Sequence, residues 1–363
     1  MKVIFVLPNA AIGGVEKVRL ALMRHFVDIG IECHLALRKR QGELLSEIPS
    51  AVRIHELAPT GMYEFIPTLI RLLRKEKPTH IITAFPDIGV LVWASLTLTR
   101  SYTKWIHSAD NTHSSVAWRY GYLGRLRSRA ENCMTAFIYK HSDAIVAVSN
   151  GVRDEILENY KVSPSRVKTI YNPVIDYSKL LPISRDRLDK SKQVNIVTLG
   201  RLVKQKGVDV LIEALATLPG NWRLDIWGDG PEYPNLDNLI RRYGLEKKIR
   251  LRGYTSKPIE ILREADIFVM ASRHEGLGNT LIEALACQCQ VIATDCPHGP
   301  KEILMEGILG QLVPVENPES ITKAIIRIMD GSEYVEPKLL ANRAAHFSRT
   351  ESCEQWVNLL ASL

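Results

Sequence analysis

The alternation of apolar runs of strand length with helical segments constrains this fold more than any other feature. The predicted strands span 2–8, 31–37, 52–57, 80–85, 104–108, 144–149 and 167–173, then 194–200, 222–228, 248–254, 267–272, 290–294 and 310–315. Most are continuously apolar and rich in Val and Ile, as strands covered on both faces are. Strands and helices that alternate in this way build βαβ units around a parallel sheet, so we predict an α/β fold.

One polar stretch interrupts the alternation and divides the chain. Residues 178–192, "SKLLPISRDRLDKSK", are charged and broken by Pro182. We expect two doubly wound, Rossmann-like domains, at 1–177 and 193–345, joined by this linker, and a helix at 346–363 that packs back toward the first domain. Ligands of parallel sheets lie beyond the carboxyl ends of the strands, so the two sheets are expected to face a central cleft.

The cysteines and the apolar segments indicate a cytoplasmic protein. Six cysteines dispersed over 363 residues fit no small disulfide framework. The C-x-C spacing of Cys287 and Cys289 has no accompanying histidine pair and does not suit zinc, so buried thiols are expected. The opening apolar run stops at Pro8, too early for a signal peptide, and Ile88–Leu98 is too short to cross a bilayer.

All of the excess positive charge lies in the first domain. Residues 1–177 hold 23 Lys and Arg against 16 Asp and Glu, whereas residues 178–363 hold 24 of each class. Cations cluster at the end of "FIPTLIRLLRKEK" (65–77) and in 118–140. An amphipathic helix packed on its own sheet explains the apolar stripe of 65–77. The charge predicts peripheral contact with an anionic membrane, at the inner face of the cytoplasmic membrane, while the lack of an aromatic platform argues against a nucleic-acid partner.

Two loops at predicted strand ends carry groups that can bind a phosphate. Gly13 and Gly14 follow the first strand and open a helix, where backbone N–H groups attract anions, although a tight turn also needs glycine. Arg201, Lys204 and Lys206 follow the eighth predicted strand and can clamp a diphosphate, although such a basic loop can also be simply solvated.

A third loop, "RHEGLGNTLIEALA" (273–286), places Glu275 and Glu283 on either side of a Gly-x-Gly break. Thr280 and Glu283 fit a capping box, which would make Glu283 a structural residue. The glycines instead suit a backbone that a ligand approaches closely, beside a helix start that attracts anions. Because these loops follow strands of one sheet, the sequence predicts a shared binding site.

The motifs of several other enzyme classes are absent from the sequence. It contains no D-x-D, no G-x-S-x-G, no H-E-x-x-H, no Walker P-loop and no G-x-G-x-x-G dinucleotide fingerprint. The absent fingerprint disfavours an NAD-dependent dehydrogenase. We expect that the reaction uses no metal ion and no cofactor.

Taken in order, the loops resemble those of the retaining glycosyltransferases of family 4, which have the GT-B fold. The likeness covers nearly the whole chain and rests on "IGGVEK" (12–17), "AVSNGV" (147–152), "IYNPV" (170–174), "GRLVKQKG" (200–207), "WGDGPE" (227–232), "RGY" (252–254), "ADIFVMASRHEGLGNTLIEALAC" (265–287) and "VIATDCPHGPKEIL" (291–304). Glu275 and Glu283 meet the family's E-x7-E signature. Gln288 and Gln290 stand where the family usually has Gly and Pro, so we expect a changed turn there.

The resemblance implies a role for each matching residue. Arg201 and Lys206 would stabilise the leaving diphosphate, and Glu283 would bind the ribose of the donor. Glu275 would contact the donor sugar at the reacting centre, and His107 would contact that sugar from the first domain; a structural role for His107 stays open. These residues, apart from Glu283, are the expected catalytic residues. The other expected donor-binding residues are Gly13, Gly14, Gly200, Gly228, Tyr254, Gly276, Leu277, Gly278 and Asn279.

The sequence thus predicts a retaining, metal-independent glycosyltransferase that moves a sugar from a nucleotide diphosphate sugar to a glycan acceptor. The resemblance favours a UDP-sugar over a GDP-sugar as donor. The segment "DCPHGPKEIL" (295–304) is similar to members that build bacterial surface glycans, which implies lipopolysaccharide or a lipid-linked oligosaccharide as acceptor. Two alternatives stay open: another GT-B enzyme such as a sugar-nucleotide epimerase, which needs no acceptor, and a non-catalytic subunit that binds a sugar nucleotide or a glycan.

Overall fold

Two α/β units make up the part of the chain that a computed structural model describes, residues 1–110, 122–177 and 192–363. Unit 1 comprises Met1–Pro173 together with Arg349–Leu363, and unit 2 comprises Val174–Ser348. The expected linker at 178–192 lies outside the described residues, apart from Lys192. The chain changes unit after residues 173 and 348, whereas the sequence placed these boundaries at 177 and 345.

Hydrogen bonds between the two ends of unit 2 explain where its boundaries fall. The N–H of Ile175 donates to the carbonyl of Phe347 at 3.4 Å, and the Tyr177 hydroxyl donates to the carbonyl of Ala341 at 3.2 Å. Ile175 also forms an isolated parallel bridge with Ser348. Since backbone groups must find partners, these bonds hold both segments in unit 2.

Unit 1 is built on a seven-stranded parallel sheet. Its strands are β1 (Lys2–Leu7), β2 (Glu32–Leu37), β3 (Arg53–Glu56), β4 (His80–Thr83), β5 (Lys104–Ala109), β6 (Ala144–Ala147) and β7 (Val167–Thr169). Its helices are α1 (Gly14–Asp28), α2 (Phe65–Glu76), α3 (Pro86–Thr99), α4 (Tyr122–His141), α5 (Asn150–Asn159) and, at the other end of the chain, α13 (Arg349–Ser362). The strand order is β3-β2-β1-β4-β5-β6-β7, so the order reverses between β1 and β4.

Unit 2 repeats this architecture with a six-stranded parallel sheet. Its strands are β8 (Val194–Leu199), β9 (Trp222–Trp227), β10 (Ile249–Gly253), β11 (Ile267–Met270), β12 (Gln290–Thr294) and β13 (Gln311–Val313). Its helices are α6 (Val208–Leu215), α7 (Tyr233–Arg242), α8 (Pro258–Glu264), α9 (Asn279–Ala286), α10 (Pro300–Ile303), α11 (Pro318–Asp330) and α12 (Pro337–Ala345). The order β10-β9-β8-β11-β12-β13 reverses between β8 and β11. Ligands of doubly wound sheets bind at such a reversal.

Every predicted strand occurs in the structure, and all pair in parallel, as expected. The observed strands are shorter at their carboxyl ends than most of the predicted ones. The strand predicted at 144–149, for example, ends at Ala147, and Ser149 is instead the N-cap of α5 through its hydroxyl. An apolar run continues into the loop, while the ladder of hydrogen bonds stops earlier.

Helix α2 shows how the apolar stripe of 65–77 is used. Its buried residues include Leu69, Leu72 and Leu73, so the stripe packs within unit 1. The ordinary amphipathic helix therefore explains the apolar face. The cations Arg71 and Arg74 are exposed, as an amphipathic helix requires.

All six cysteines are free thiols and five are buried, among them Cys287 and Cys289, for which the sequence predicted buried thiols. Cys133 is the exposed one. Within the ranges that the structure describes, no helix combines the length and apolar character needed to cross a membrane.

Candidate active site

The centre of the candidate site is an ion pair between the loops that follow β8 and β11. Lys206 Nζ lies 2.6 Å from Glu275 Oε1, and the Ser272 hydroxyl donates to the same oxygen at 2.6 Å. Glu275 is 6% exposed. The two strands are the neighbours at which the strand order reverses, so the structure brings two predicted catalytic residues together where a ligand is expected.

A close backbone contact fixes the loop that carries Lys206, residues 200–207, which we call the lysine loop. Lys204–Lys206 form a single 3-10 turn that ends at Gly207, whose φ is 60°. A Cβ on Gly207 would lie 2.0 Å from the carbonyl oxygen of Ala271, so this approach of the loop to the end of β11 requires glycine. Arg201, in the same loop, is exposed, and its guanidinium forms no hydrogen bond or ion pair with the residues that the structure describes. Its charge is available to an anionic ligand.

Glycines also join the ends of the neighbouring strands. The N–H of Gly228 donates to the carbonyl of Gly253 at 2.8 Å, and a Cβ on Gly228 would lie 1.8 Å from the carbonyl oxygen of Gly200. Gly200 and Gly228 therefore have a packing role at the edge where a ligand is expected. Tyr254 follows Gly253 at the same edge and is 47% exposed.

The Gly-x-Gly break starts helix α9 earlier than a capping box requires. Gly278 is the N-cap with φ 99°, and α9 begins at Asn279 without a side-chain cap. The capping-box interpretation is therefore wrong, because Thr280 lies inside the first turn and not at the N-cap. Glu283 is half-buried one turn further along. The first N–H groups of any helix have no partner inside the helix, so this start remains suited to an anion.

The loop after β12 contacts the loop that carries Glu275, residues 274–278, which we call the glutamate loop. The N–H of Glu275 donates to the carbonyl of Pro297 at 3.5 Å, and a Cβ on Gly299 would lie 2.0 Å from the carbonyl oxygen of Leu277. Burial, and next the charge of Glu275, raises the pKa of the Cys296 thiol to about 12. Cys296 is therefore an uncharged neighbour of the ion pair. The loop residues Gly276, Leu277 and Gly278 are all buried.

A small cavity opens beside the ion pair. Its lining combines charged and polar groups with apolar and aromatic side chains. The lining includes Gly200, Lys206, Trp227, Ser272, Glu275 and Thr280.

The expected donor contacts of unit 1 lie at the start of α1 and within β5. Gly13 is the N-cap of α1, and Gly14 is the first helical residue. Gly14 is exposed, and a Cβ there would meet nothing within 4 Å, so internal packing does not require glycine at this position. His107 lies within β5, is 2% exposed, and has its Nδ1 2.9 Å from Thr83 Oγ1. This position also fits a structural role for His107.

The departure at Gln288 leaves the turn in a conformation that suits glycine. Gln288 has φ 60°, which a glycine adopts without steric cost. Gln290 begins β12 and exchanges two hydrogen bonds with the backbone of Val335, at 2.8 and 3.0 Å. The backbone of the turn at Gln288 is thus one that glycine also adopts. The difference from the family pattern lies in the side chains of Gln288 and Gln290.

Comparisons with known proteins decide the family. A model described as Glycosyltransferase Family 4 matches residues 12–176, and one described as Glycosyl transferases group 1 matches residues 182–345. Over 356 residues the chain is 30% identical to the lipopolysaccharide core biosynthesis glycosyltransferase LpsE of Rhizobium meliloti, with 96% of each chain covered. The chain belongs to glycosyltransferase family 4. The predicted class of enzyme is confirmed.

Other proteins match this glycosyltransferase over part of their length or in fold alone. The N-acetylgalactosamine-N,N'-diacetylbacillosaminyl-diphospho-undecaprenol 4-alpha-N-acetylgalactosaminyltransferase of Campylobacter jejuni is 31% identical over 199 residues, which are 54% of this chain and 53% of that enzyme. The chain thus matches about half the length of this relative. The structure of Anabaena Alr3699/HepE with UDP-glucose has a TM-score of 0.81 at 17% identity, with both chains fully covered. The likeness in fold confirms the predicted GT-B fold.

Sequence reasoning assigned no role to Arg273, which the glycosyltransferase uses to join three loops of unit 2. Its guanidinium binds both carboxylate oxygens of Asp209, at 3.0 and 2.8 Å, and also binds the carboxylate of Glu316 and the carbonyl of Lys204. Burial lowers the pKa of Arg273, but its hydrogen bonds with Asp209 and Glu316 outweigh this effect and raise the pKa. The signal in the sequence was the position of Arg273, two residues before Glu275.

A cluster in unit 1 has the composition of a metal site but already contains its own cations. Ligand atoms of Glu32, His34 and Glu76 lie within 4.8 Å of one another. Lys2 Nζ lies 3.2 Å from Glu32 and 3.1 Å from Glu76, and Arg53 lies 3.7 Å from each. Two cations therefore balance the two carboxylates, and the arrangement is that of an ion-pair network.

Proposed function

We propose that this glycosyltransferase moves a sugar from a UDP-sugar to a glycan acceptor, with retention of configuration and without a metal ion or cofactor. The observation that carries the proposal is the Lys206–Glu275 ion pair, which holds a cation 2.6 Å from a buried carboxylate at the reversal of strand order. Membership of the family supports the transfer of a glycosyl group, and the pair supplies charges that such a transfer uses.

The chemistry of glycosyl transfer explains why these charges matter. The bond between the anomeric carbon and a phosphate oxygen breaks, and a bond from that carbon to the acceptor oxygen forms as the acceptor loses its proton. Negative charge grows on the departing diphosphate, and positive charge grows on the sugar ring. Preorganised cations stabilise the departing diphosphate, the role that we assign to Arg201 and Lys206. The negative charge of Glu275 suits the positive charge that grows on the sugar ring.

The remaining groups of unit 2 suit the rest of the donor. Backbone N–H groups of Gly276, Leu277, Gly278 and Asn279, at the start of α9, would bind phosphate and sugar hydroxyls. Glu283 would bind the ribose, and exposed Tyr254 would lie near the base. In unit 1 we assign a phosphate contact to Gly14, whose exposure leaves room for a ligand. Support for a uridine nucleotide comes from Anabaena HepE, a protein of the same fold that binds UDP-glucose in its structure.

The names of two relatives support a lipopolysaccharide or a lipid-linked oligosaccharide as acceptor. LpsE acts in lipopolysaccharide core biosynthesis, and the Campylobacter enzyme is named for a diphospho-undecaprenol substrate. Both kinds of acceptor are anchored in a membrane by lipid. We therefore propose that the enzyme binds peripherally to the inner face of the cytoplasmic membrane.

The exposed cations of unit 1 support this docking, because each basic residue near an anionic surface contributes about 1 kcal/mol. The described exposed Lys and Arg residues of α2 and α4 are Arg71, Arg74, Lys75, Arg129 and Lys140. The side chains of Arg125 and Arg127, which belong to the same predicted basic segment, lie outside the described residues.

The test is a matrix of nucleotide sugars and acceptors with nucleotide release as the readout. We expect UDP release only when a UDP-sugar and a glycan acceptor are both present, unchanged by EDTA. The coupling constant of the anomeric proton in the product should match that of the donor. Conversion of the donor without acceptor would indicate an epimerase. Tight UDP binding with no turnover on any acceptor would indicate a binding subunit.

A further inference from the structure

Arg273 lies between β11 and the glutamate loop and has no part in the chemistry described above. Its side chain is 20% exposed, and the two carboxylates that it binds, those of Asp209 and Glu316, belong to other segments of unit 2. Asp209 lies in the first turn of α6, after the lysine loop, and Glu316 follows β13 and has φ 57°. Arg273 therefore joins the loop after β11 to the loops that follow β8 and β13.

The bonds of Arg273 use the whole guanidinium. A guanidinium has five N–H donors, and five hydrogen bonds use them: two to Asp209, two to Glu316 and one to the carbonyl of Lys204. A lysine has three donors and no planar fork, so it cannot reproduce this set. The arrangement is specific to arginine.

The bonds fall on both sides of Lys206 along the chain. Lys204 precedes Lys206 by two residues, and Asp209 follows it by three. Two further bonds join the same segments, because the N–H of Arg273 donates to the carbonyl of Gln205 at 2.7 Å and the Gln205 amide donates to the carbonyl of His274 at 3.0 Å. The backbone that carries Lys206 is thereby held against the backbone that carries Glu275.

We infer that Arg273 is a positioning residue that sets the distance between Lys206 and Glu275. It acts through these two residues and does not itself touch the substrate. The inference rests on the proposed function in so far as Lys206 binds the diphosphate of the donor. Loss of Arg273 would also change the charge near the lysine loop, because the carboxylates of Asp209 and Glu316 would no longer have a cation beside them.

Binding of UDP, measured by titration calorimetry, tests the inference through a double-mutant cycle. Arg273→Ala should weaken UDP binding at least about fivefold, the effect expected of residues that share a network, and Arg273→Lys should restore it only in part. In a Lys206→Ala background the same substitution should change the affinity less than about twofold. Arg241→Ala, which removes an exposed ion pair with Asp237 on α7, is the control and should have no effect. An equal loss in both backgrounds would overturn the inference.

Crystal structures of the wild type and of Arg273→Ala test the positioning role independently of which nucleotide the donor carries. The segment 204–207 should move by about 1 Å or more in the variant, a misplacement large enough to impair catalysis. An unchanged Lys206–Glu275 pair would refute the positioning role even if UDP proves not to be the donor nucleotide. Should Arg273→Ala fail to fold, Asp209→Asn, which removes the charge of one partner and keeps its shape, replaces it in both measurements.

Discussion

Lys206 and Glu275 are 69 residues apart in the chain, yet their charged atoms lie 2.6 Å apart in the fold. The pair exists because β8 and β11 are neighbours in the sheet, so that the loops after these strands emerge side by side. A donor diphosphate would therefore meet a lysine that is already oriented by a carboxylate. Preorganisation of this kind reduces the reorganisation that accompanies the reaction.

The two cations of the lysine loop should affect turnover strongly. Arg201→Ala and Lys206→Ala should each lower kcat by about 10²-fold or more, because each removes a preorganised charge from the leaving group. Arg201 is exposed, so its substitution should leave the melting temperature unchanged. Lys247→Ala, which removes an exposed cation of unit 2 outside the loops of the candidate site, is the control and should turn over like the wild type. Wild-type turnover of both test variants would remove these residues from the mechanism.

The two glutamates should separate nucleotide binding from transfer. Glu283→Gln should weaken UDP binding in calorimetry, although Glu283 is not part of a capping box, because the N-cap of α9 is Gly278 and not Thr280. Glu275→Gln should leave UDP binding near the wild-type value and impair transfer. Transfer at the wild-type rate in Glu275→Gln would contradict the role assigned to this carboxylate.

The energetic cost of a side chain at Gly207 can be measured by comparison with a second glycine of similar φ. Gly207 and Gly244 have similar φ angles, 60° and 66°, but only at Gly207 would a Cβ meet a backbone atom, at 2.0 Å. Gly244→Ala should cost about 1 kcal/mol in the free energy of unfolding from backbone strain alone. Gly207→Ala should cost a further 1–3 kcal/mol or so, as overpacking does, and should also lower UDP affinity. Equal losses in chemical denaturation would mean that the loop can move away from β11.

Stability should fall on the acid side of neutrality because of His55. Burial, and next the charge of His34, lowers the pKa of His55 from 6.5. The unfolded chain then binds a proton at a higher pH than the folded chain, so stability is lost as the pH falls below about 6.5. The free energy of unfolding should be lower at pH 5.5 than at pH 7.5, and His55→Gln should reduce the difference. Exposed His346→Gln is the control and should leave the difference intact.

Membrane docking should depend on anionic lipid and on unit 1. The enzyme should bind vesicles that contain phosphatidylglycerol, and salt should weaken the binding steeply because the attraction is screened. Replacement of Arg71, Arg74 and Lys75 by Ser should weaken it further. The matched control is the triple replacement of Arg241, Arg242 and Lys247, exposed cations of unit 2. Equal binding to neutral and anionic vesicles, or binding to neither, would leave a soluble acceptor as the alternative.

The sequence was most informative where a single local pattern determines the structure. Apolar runs predicted every strand, and most of these runs were continuous, because a strand buried on both faces has no polar side to interrupt it. Of the two alternatives for the Gly-x-Gly break, the capping box was wrong, since Gly278 at the N-cap begins α9 before Thr280 can cap it. The contacts of Arg273 with Asp209 and Glu316 could not be predicted, because these partners lie 64 and 43 residues away and meet only through the strand order.

Unit 1 contains the two ends of the chain described here, and this has a consequence for synthesis on the ribosome. Arg19 of α1 is buried, with its guanidinium 5.7 Å from the ring of Trp356, and Cys353, Trp356 and Leu360 of α13 belong to the same core as β1. Unit 2 can therefore complete its sheet while unit 1 still lacks a helix. Domains generally fold in the order of their synthesis, but here β1 and α1 must wait for residues 349–363 to complete their core. The nascent chain exposes the apolar surface that Trp356 covers until residues 349–363 have been synthesised.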